Sequence, residues 1–527
     1  MSTSTRTLAS RVAAGAGALA LTLAGLGGIA ATAAADTSVG NINPDAKGTL
    51  NIHKLESGSM QGGPGTPNDA TDKTGKGVAD VVFTAYKITN LDLTTQAAWN
   101  GLDSLSIPAN ACGSNNATPS LTLPGGTAAT FDTGKASDPT ADNGDTTISD
   151  LSVAAYLVCE TEAPATVAKK AAPFLVTIPF PNNKANNAST TQNGEWLYTI
   201  DVYPKNTVVL APTKGVEVTA NGLQTAAQLE FPVTVTVPSI AEGDQFTAFY
   251  VTDPLNAALT DGAVKSVKLD DVVDVNPDYY SVTTGQNLKV EFNEAGRAFL
   301  KGKADSKLVI TFTATANSVT ESGNIPNTAH LFVDTEGGDT PPDTPTNPVV
   351  SSWGNAVITK TDADNGKALA GATFQVYNSS DPLAETCDKS TATGEAISIN
   401  GVDTFTSDAN GQINLVGLFV DSKVGVAGQT EDEISPDNTT RCYVLVETAA
   451  PAGYTLPQGD AANTALKITA GTTTADNITI DNTKQNVPNL PLTGANGQLL
   501  MMLIGAALVL LAAGSVLVAR NRQRAQG

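Results

Sequence analysis

"CYVLVETAAPAGY", Cys442 to Tyr454, puts one carboxylate, Glu447, inside a run of otherwise apolar or small strand-forming residues and then stops at Pro451 and Gly453. Alternation with a period of two is the mark of a half-buried strand, and Gly and Pro punctuate it. The same pattern recurs outward in both directions: "VVFTAYKI" at 81–88, "EWLYTIDVY" at 195–203, "FPVTVTVP" at 231–238, "KLVITFTATA" at 307–316, "GATFQVY" at 371–377 and "DNITIDN" at 476–482. Sustained helical periodicity is missing between the two ends. The chain therefore reads as all-β, built from antiparallel sandwiches or barrels of the immunoglobulin-like sort.

With 527 residues it is too long for one core. Inexact repeats divide it. "LNIHKLESG" at 50–58 is echoed by "AVITKTDADNGKALAGATFQVY" at 356–377, and "AAYLVCETEAPA" at 154–165 by the opening stretch, so a first and a third module look like relatives. A second module opens with "APTKGVEV" at 211–218. The expected division is a first module at 36–206, a second at 207–340, a linker at 341–350 within the Pro-rich stretch Asp334 to Val350, and a third module at 351–487. A Gly-rich insertion at 57–77 reads as a mobile surface loop.

Composition narrows the function. There are 52 acidic residues against 30 basic ones, a net charge of −22, the wrong sign for a nucleic-acid partner. Only His53 and His330 are available as imidazoles, which leaves little for histidine-based hydrolysis or a zinc site, and no cofactor or metal is expected. "DADNG" at 362–366 lacks the distal ligands of a calcium loop and reads as a turn.

The ends carry addresses. Residues 1–35 combine Arg6 and Arg11, an apolar run and the triplet Ala33-Ala34-Ala35, the pattern of a secretory signal peptide. Secretion permits disulfides; four cysteines allow three pairings, and pairing within modules, Cys112 with Cys159 and Cys387 with Cys442, is favoured by position. At the other end, 488–527, Leu490, Pro491, Leu492, Thr493 and Gly494 precede an apolar run from Leu499 to Ala519 and then Arg520, Arg522 and Arg524, which is expected to be a transmembrane helix with a basic tail. Both ends are removed on maturation in this reading. The five arginines go with them, leaving 25 basic against 52 acidic residues, a net of −27.

Each module also offers a lysine on an early strand, an acid on a middle one and an asparagine on the last. They are Lys54, Glu160 and Asn206 in the first, Lys214, Asp253 and Asn327 in the second, and Lys360, Glu447 and Asn482 in the third. Buried together, a lysine becomes a neutral amine and the acid a protonated one, and the amine can attack the asparagine amide while the acid shuttles protons. One amide bond forms and ammonia leaves. The phrases around them resemble the self-formed isopeptide sites of collagen-adhesin-type (Cna-type) modules, the second module their A type and the third their B type.

"EWLYTIDVYPKN" at 195–206 adds a further lysine. Pro204 is expected to end pairing and project Lys205 outward. Trp196 with Tyr203, Pro204, Lys205 and Asn206 resembles the pilin motif, and "LPLTG" with its helix and tail resembles the cell-wall sorting signal, both of the major shaft pilins of Gram-positive sortase-assembled pili. The resemblance covers the whole chain. It implies a fimbrial subunit that is no enzyme, cut after Thr493 and joined to Lys205 of the next copy. Its partners would be other copies, pilin-specific and housekeeping sortases, tip and base pilins, and peptidoglycan, with the adhesion receptor left open. A monomeric wall-anchored adhesin is the competing expectation; it has no need of the motif around Lys205.

Overall fold

In the computed structural model, the described residues are 42–59, 75–113, 118–181, 196–226, 228–337, 341–388, 391–472, 478–486 and 495–524. The signal segment 1–35, residues 60–74 of the Gly-rich insertion, and Leu490 to Gly494 lie outside them.

The chain is a succession of β-sheets, as the alternating runs dictate. In the N-terminal part Lys47–His53 is the central strand of a three-stranded sheet, parallel to Thr199–Val202 on one side and antiparallel to Asp145–Ser152 on the other. Facing it is a four-stranded sheet in the order Lys135–Ala136, Val82–Lys87, Ala154–Glu162, Phe174–Ile178. Leu50, Ile52, Phe83, Tyr156 and Ile200 fill the space between them. Each such side chain contributes roughly 1.5–3 kcal/mol on leaving water.

The next part pairs Thr213–Lys214, Leu229–Thr236, Lys307–Ala316, Leu259–Leu269 and Val273–Asp274 in one sheet, against Tyr280–Thr283, Asn287–Phe292, Ala248–Pro254, His330–Asp334 and Asp343–Pro345 in another. Phe231, Phe249, Phe292 and Phe312 are buried between them. One short helix, Glu294–Lys301, is capped by the Asn293 side chain accepting from the Gly296 N–H. Its eight residues are too few for a helical period to stand out in sequence.

The C-terminal part is organised by a single 14-residue strand, Val349–Asp362. Its first residues pair with Asn324–Asn327 of the preceding part, and its length then pairs with Gln412–Val424 and, in parallel, with Ile478–Asn482. The stretch expected as a linker is thus tied at both ends: Asp343–Pro345 pairs with His330–Phe332, and Val349 already belongs to the long strand. One continuous core runs from Val209 to Ile468 through the second and third parts, while the first has separate clusters of its own. Cys112 is bonded to Cys159 and Cys387 to Cys442.

The expected transmembrane helix requires correction. Ala495–Arg524 is helical, but among the described residues no helix is long and apolar enough to cross a membrane.

Candidate functional site

Each of the three triads is brought together. Lys54 sits between Lys47–His53 and Leu55–Glu56, and the parallel pairing of Leu55–Glu56 with Lys205–Val208 sets Asn206 beside it. Glu160 arrives from the facing strand Ala154–Glu162. Lys54 Nζ donates to Asn206 Oδ1 and lies 3.1 Å from Glu160 Oε2. Asn206 Nδ2 in turn donates to Glu160 Oε1 at 2.7 Å. The Ala171 N–H donates to Glu160 Oε2 at 3.0 Å. Lys54 is fully buried, 5.6 Å from the centre of the Phe83 ring, and desolvation pulls its pKa down to about 8 against the opposing pull of Glu160. At pH 7 roughly a tenth of such an amine is neutral. The triad with the least complete sequence motif is thus fully hydrogen-bonded.

In the second triad Lys214 Nζ is 2.6 Å from Asp253 Oδ2, and Asn327 Nδ2 approaches the same oxygen at 3.5 Å. Burial drives Lys214 down and Asp253 up, both toward their neutral forms. Asp253 Oδ1 and Asn327 Oδ1 are buried without a partner. In the third, Lys360 Nζ donates to the Ile480 carbonyl at 3.0 Å and is 3.9 Å from Glu447 Oε2, while Asn482 Nδ2 donates to Glu447 Oε1 at 2.8 Å. Glu447 Oε2 and Asn482 Oδ1 are the orphans here. Desolvation again raises Glu447 and lowers Lys360.

The repeated orphaning has one chemical remedy. Two buried acceptor oxygens, one of a carboxyl and one of an amide, are both satisfied if a single proton lies between them, which requires the acid form and a turn of the amide about its last torsion. A protonated acid donating to the asparagine Oδ1 polarises the carbonyl that the neutral lysine would attack. Among the described residues no cluster fit to hold a metal occurs.

Neighbours that the motifs did not single out hold the triads in place. Asn347 clasps the Lys214 backbone, accepting from its N–H and donating to its carbonyl, each at 2.9 Å. Asp362 receives the Tyr454 hydroxyl and Lys484 Nζ, both at 2.9 Å, and anchors the last strand beside Asn482. Its place in the turn "DADNG" is readable in the sequence; its bond to the tyrosine that closes "PAGY" needs the fold.

The lysine of the fourth motif behaves differently from its expectation. Pairing resumes at Lys205, opposite Leu55, and the Leu55 N–H donates to the Pro204 carbonyl at 3.0 Å. Its side chain is half-buried rather than thrust outward, and desolvation lowers its pKa. Among the described residues Nζ has no ion-pair partner. Tyr203 stacks on His53, and Trp196 packs against Trp99 with ring centres 5.2 Å apart. Thr493 and the rest of the sorting motif lie outside the described residues.

Tandem β-modules with buried lysine–acid–asparagine sites and a motif lysine between the first two define a structural class, that of cell-wall-linked surface subunits. Matches to known families agree. A Gram-positive pilin subunit D1 N-terminal domain matches residues 45–207, a prealbumin-like fold domain 354–484, and an LPXTG cell wall anchor motif 482–524. The chain is 39% identical to the fimbrial subunit type 2 of Actinomyces naeslundii over 99% of its own length and 98% of that protein's. To the fimbrial subunit type 1 of Actinomyces viscosus it is 30% identical, with 94% of each covered. The full-length major pilin SpaD of Corynebacterium diphtheriae superposes with a TM-score of 0.64 at 25% identity, covering 85% of this chain and 99% of that one. The chain belongs to the family of Gram-positive fimbrial subunits. It is a secreted, cell-wall-anchored surface protein, structural rather than catalytic, whose partners are sortases, other pilins and the cell wall.

Proposed function

We propose that the chain is the repeating subunit of a covalent fimbrial shaft, with Lys205 as the acceptor and Thr493 as the donor. The observation that carries this reading is a half-buried lysine without an ion-pair partner among the described residues, in a chain whose far end carries the anchor motif. A half-buried amine gives up its proton more readily than an exposed one, which favours attack at neutral pH. A pilin-type sortase cleaves the bond between Thr493 and Gly494 and holds the threonyl group as a thioester. Lys205 Nζ of the next copy then takes the acyl group, releasing the sortase thiol. A housekeeping sortase would join the last copy to peptidoglycan, and tip and base pilins would complete the fibre.

Within each copy, Lys54–Asn206, Lys214–Asn327 and Lys360–Asn482 are the bonds proposed, with Glu160, Asp253 and Glu447 as the proton shuttles. The lysine N–C bond forms as the amide C–N bond breaks, and the leaving nitrogen departs as ammonia. Adhesion would then belong to the assembled fibre. Denaturing gels of wall extracts test the shaft reading: a ladder abolished by K205A, with Thr493 joined to Lys205 in cross-linked peptides, is expected. A ladder indifferent to K205A would favour a wall-anchored monomer decorated by some other pilus.

A further inference from the structure

The motif lysine lies in a strand pair with a gap. Ile52 pairs with Val202 and Leu55 with Lys205 in the same parallel register, so His53 falls opposite Tyr203 and Lys54 opposite Pro204. Proline has no N–H to give to that ladder. The Pro204 carbonyl still accepts from the Leu55 N–H, and ring contact adds to the hold where the donor is missing: the His53 and Tyr203 rings stack with centres 4.9 Å apart and planes 20° from parallel.

The imidazole is itself fixed from both neighbouring strands. Nδ1 is 2.7 Å from Asp145 Oδ1 on the antiparallel strand, and Nε2 is 3.2 Å from Asp201 Oδ1 on the parallel one. Both carboxylates are held in turn, Asp201 by Asn51 Nδ2 at 3.0 Å and Asp145 by Asn143 Nδ2 at 2.7 Å. The ring therefore ties three strands together at the point where Tyr203 and Pro204 lead into Lys205.

We propose that His53 is a positioning residue for acyl transfer: its ring, pinned by Asp145 and Asp201, clamps Tyr203 and so fixes the direction in which Lys205 meets the sortase-held threonyl group. A neutral imidazole carries one N–H and can donate to only one of the two aspartates, whereas the imidazolium donates to both. The aspartates raise the His53 pKa above its usual value, led by the hydrogen bond that the ring donates to Asp201, against the cost of burial. The titratable groups facing the ring are Asp145, Asp201 and Tyr203, and each bears on one end or one face of it. The clamp is thus tightest in acid and slackens as the ring loses its proton.

This inference rests on Lys205 being the acceptor, and the test separates the two. The full chain, as wild type, H53A and H53F, is supplied as acceptor to its pilus sortase with a short LPLTG peptide as acyl donor. Peptide mapping of the wild-type product first locates the linkage; a product joined elsewhere than at Lys205 overturns the acceptor assignment and the clamp with it. With Lys205 linked, H53A is expected to lower kcat/KM for the acceptor about tenfold, as misdirected reacting groups do. H53F keeps a stacking ring but no donors, so the ratio of wild-type to H53F efficiency should be largest in acid and shrink above the His53 titration. Intact mass and thermal midpoint show whether the Lys54–Asn206 site survives, which separates positioning from unfolding; if H53A does not fold, the H53F ratio decides. Equal acceptor efficiency for wild type and a folded H53A, or a wild-type to H53F ratio that does not move with pH, would overturn the proposal.

Discussion

Glu447 and Asp253 are carboxyls raised by burial beside lysines lowered by it, so burial moves both partners toward their neutral forms. Replacing Glu447 by Ala should leave the chain without the one-ammonia deficit of the third module, measured against the mass its own sequence requires, and less stable by about 5 kcal/mol, the entropy of the long loop that the bond would close. Intact mass and denaturant unfolding read both; an E447A chain that still lacks that ammonia relative to its own sequence removes the shuttle role. Asp362 supplies a pH test. Lys484, with the Asp364 N–H and Tyr454, holds its pKa at about 2, below the ordinary 3.8, so its contribution is present above pH 3.8 and lost as pH falls through about 2. The acid unfolding of the third module should accordingly shift to higher pH in D362N, and an unmoved acid transition would contradict that assignment. At this scale the sequence was most legible where charged residues interrupted apolar strands: Lys360, Glu447 and Lys214 stand out by chemistry alone. Asn347 and Asp201 did not, because neither an asparagine in a Pro-rich stretch nor an aspartate within a strand run shows its partners until a fold buries it.

Strand pairing explains what was legible among the elements. Period-two runs such as Leu229–Thr236, with strictly alternating burial, announce themselves. Two-residue strands such as Leu55–Glu56 and Thr213–Lys214 are too short to show a period, though they carry or flank two of the buried lysines. Composition makes the Pro-rich stretch before Val349 look like a spacer, and only the pairing partners reveal that it is stitched to both sides. The junction it forms is close-packed: the Leu223 N–H donates to the Gly417 carbonyl at 2.9 Å, and a Cβ on Gly417 would fall 2.1 Å from Leu223 Cγ at a φ of +87°. G417V should therefore unseat the second part from the third, at about 1–3 kcal/mol for the crowding. Limited proteolysis between residues 337 and 349 would detect the opening, and protection equal to wild type would refute it.

Across the whole molecule the two junctions differ in kind. Lys76 meets Asp305 at 2.5 Å, and Lys169 meets Asp244 at 3.1 Å, between the first and second parts, where the cores are separate. The second and third share one core. Small-angle scattering in about 1 M salt, where charges are screened beyond ~3 Å, should show the first junction loosening and the second unchanged; identical curves at low and high salt would count against the polar hinge. The proposed bonds and the long strand Val349–Asp362 also set where a pull on the fibre would travel. Force entering at Lys205 passes along 205–214, crosses to Asn327, follows the chain into the long strand as far as Lys360, crosses to Asn482 and leaves toward Thr493. Everything folded between those crossings is slack rope beside a taut one. The residues ahead of Lys205 hang outside the line altogether, so a Lys54–Asn206 bond bears no traction and serves instead to stiffen the dock at which the next copy ties up.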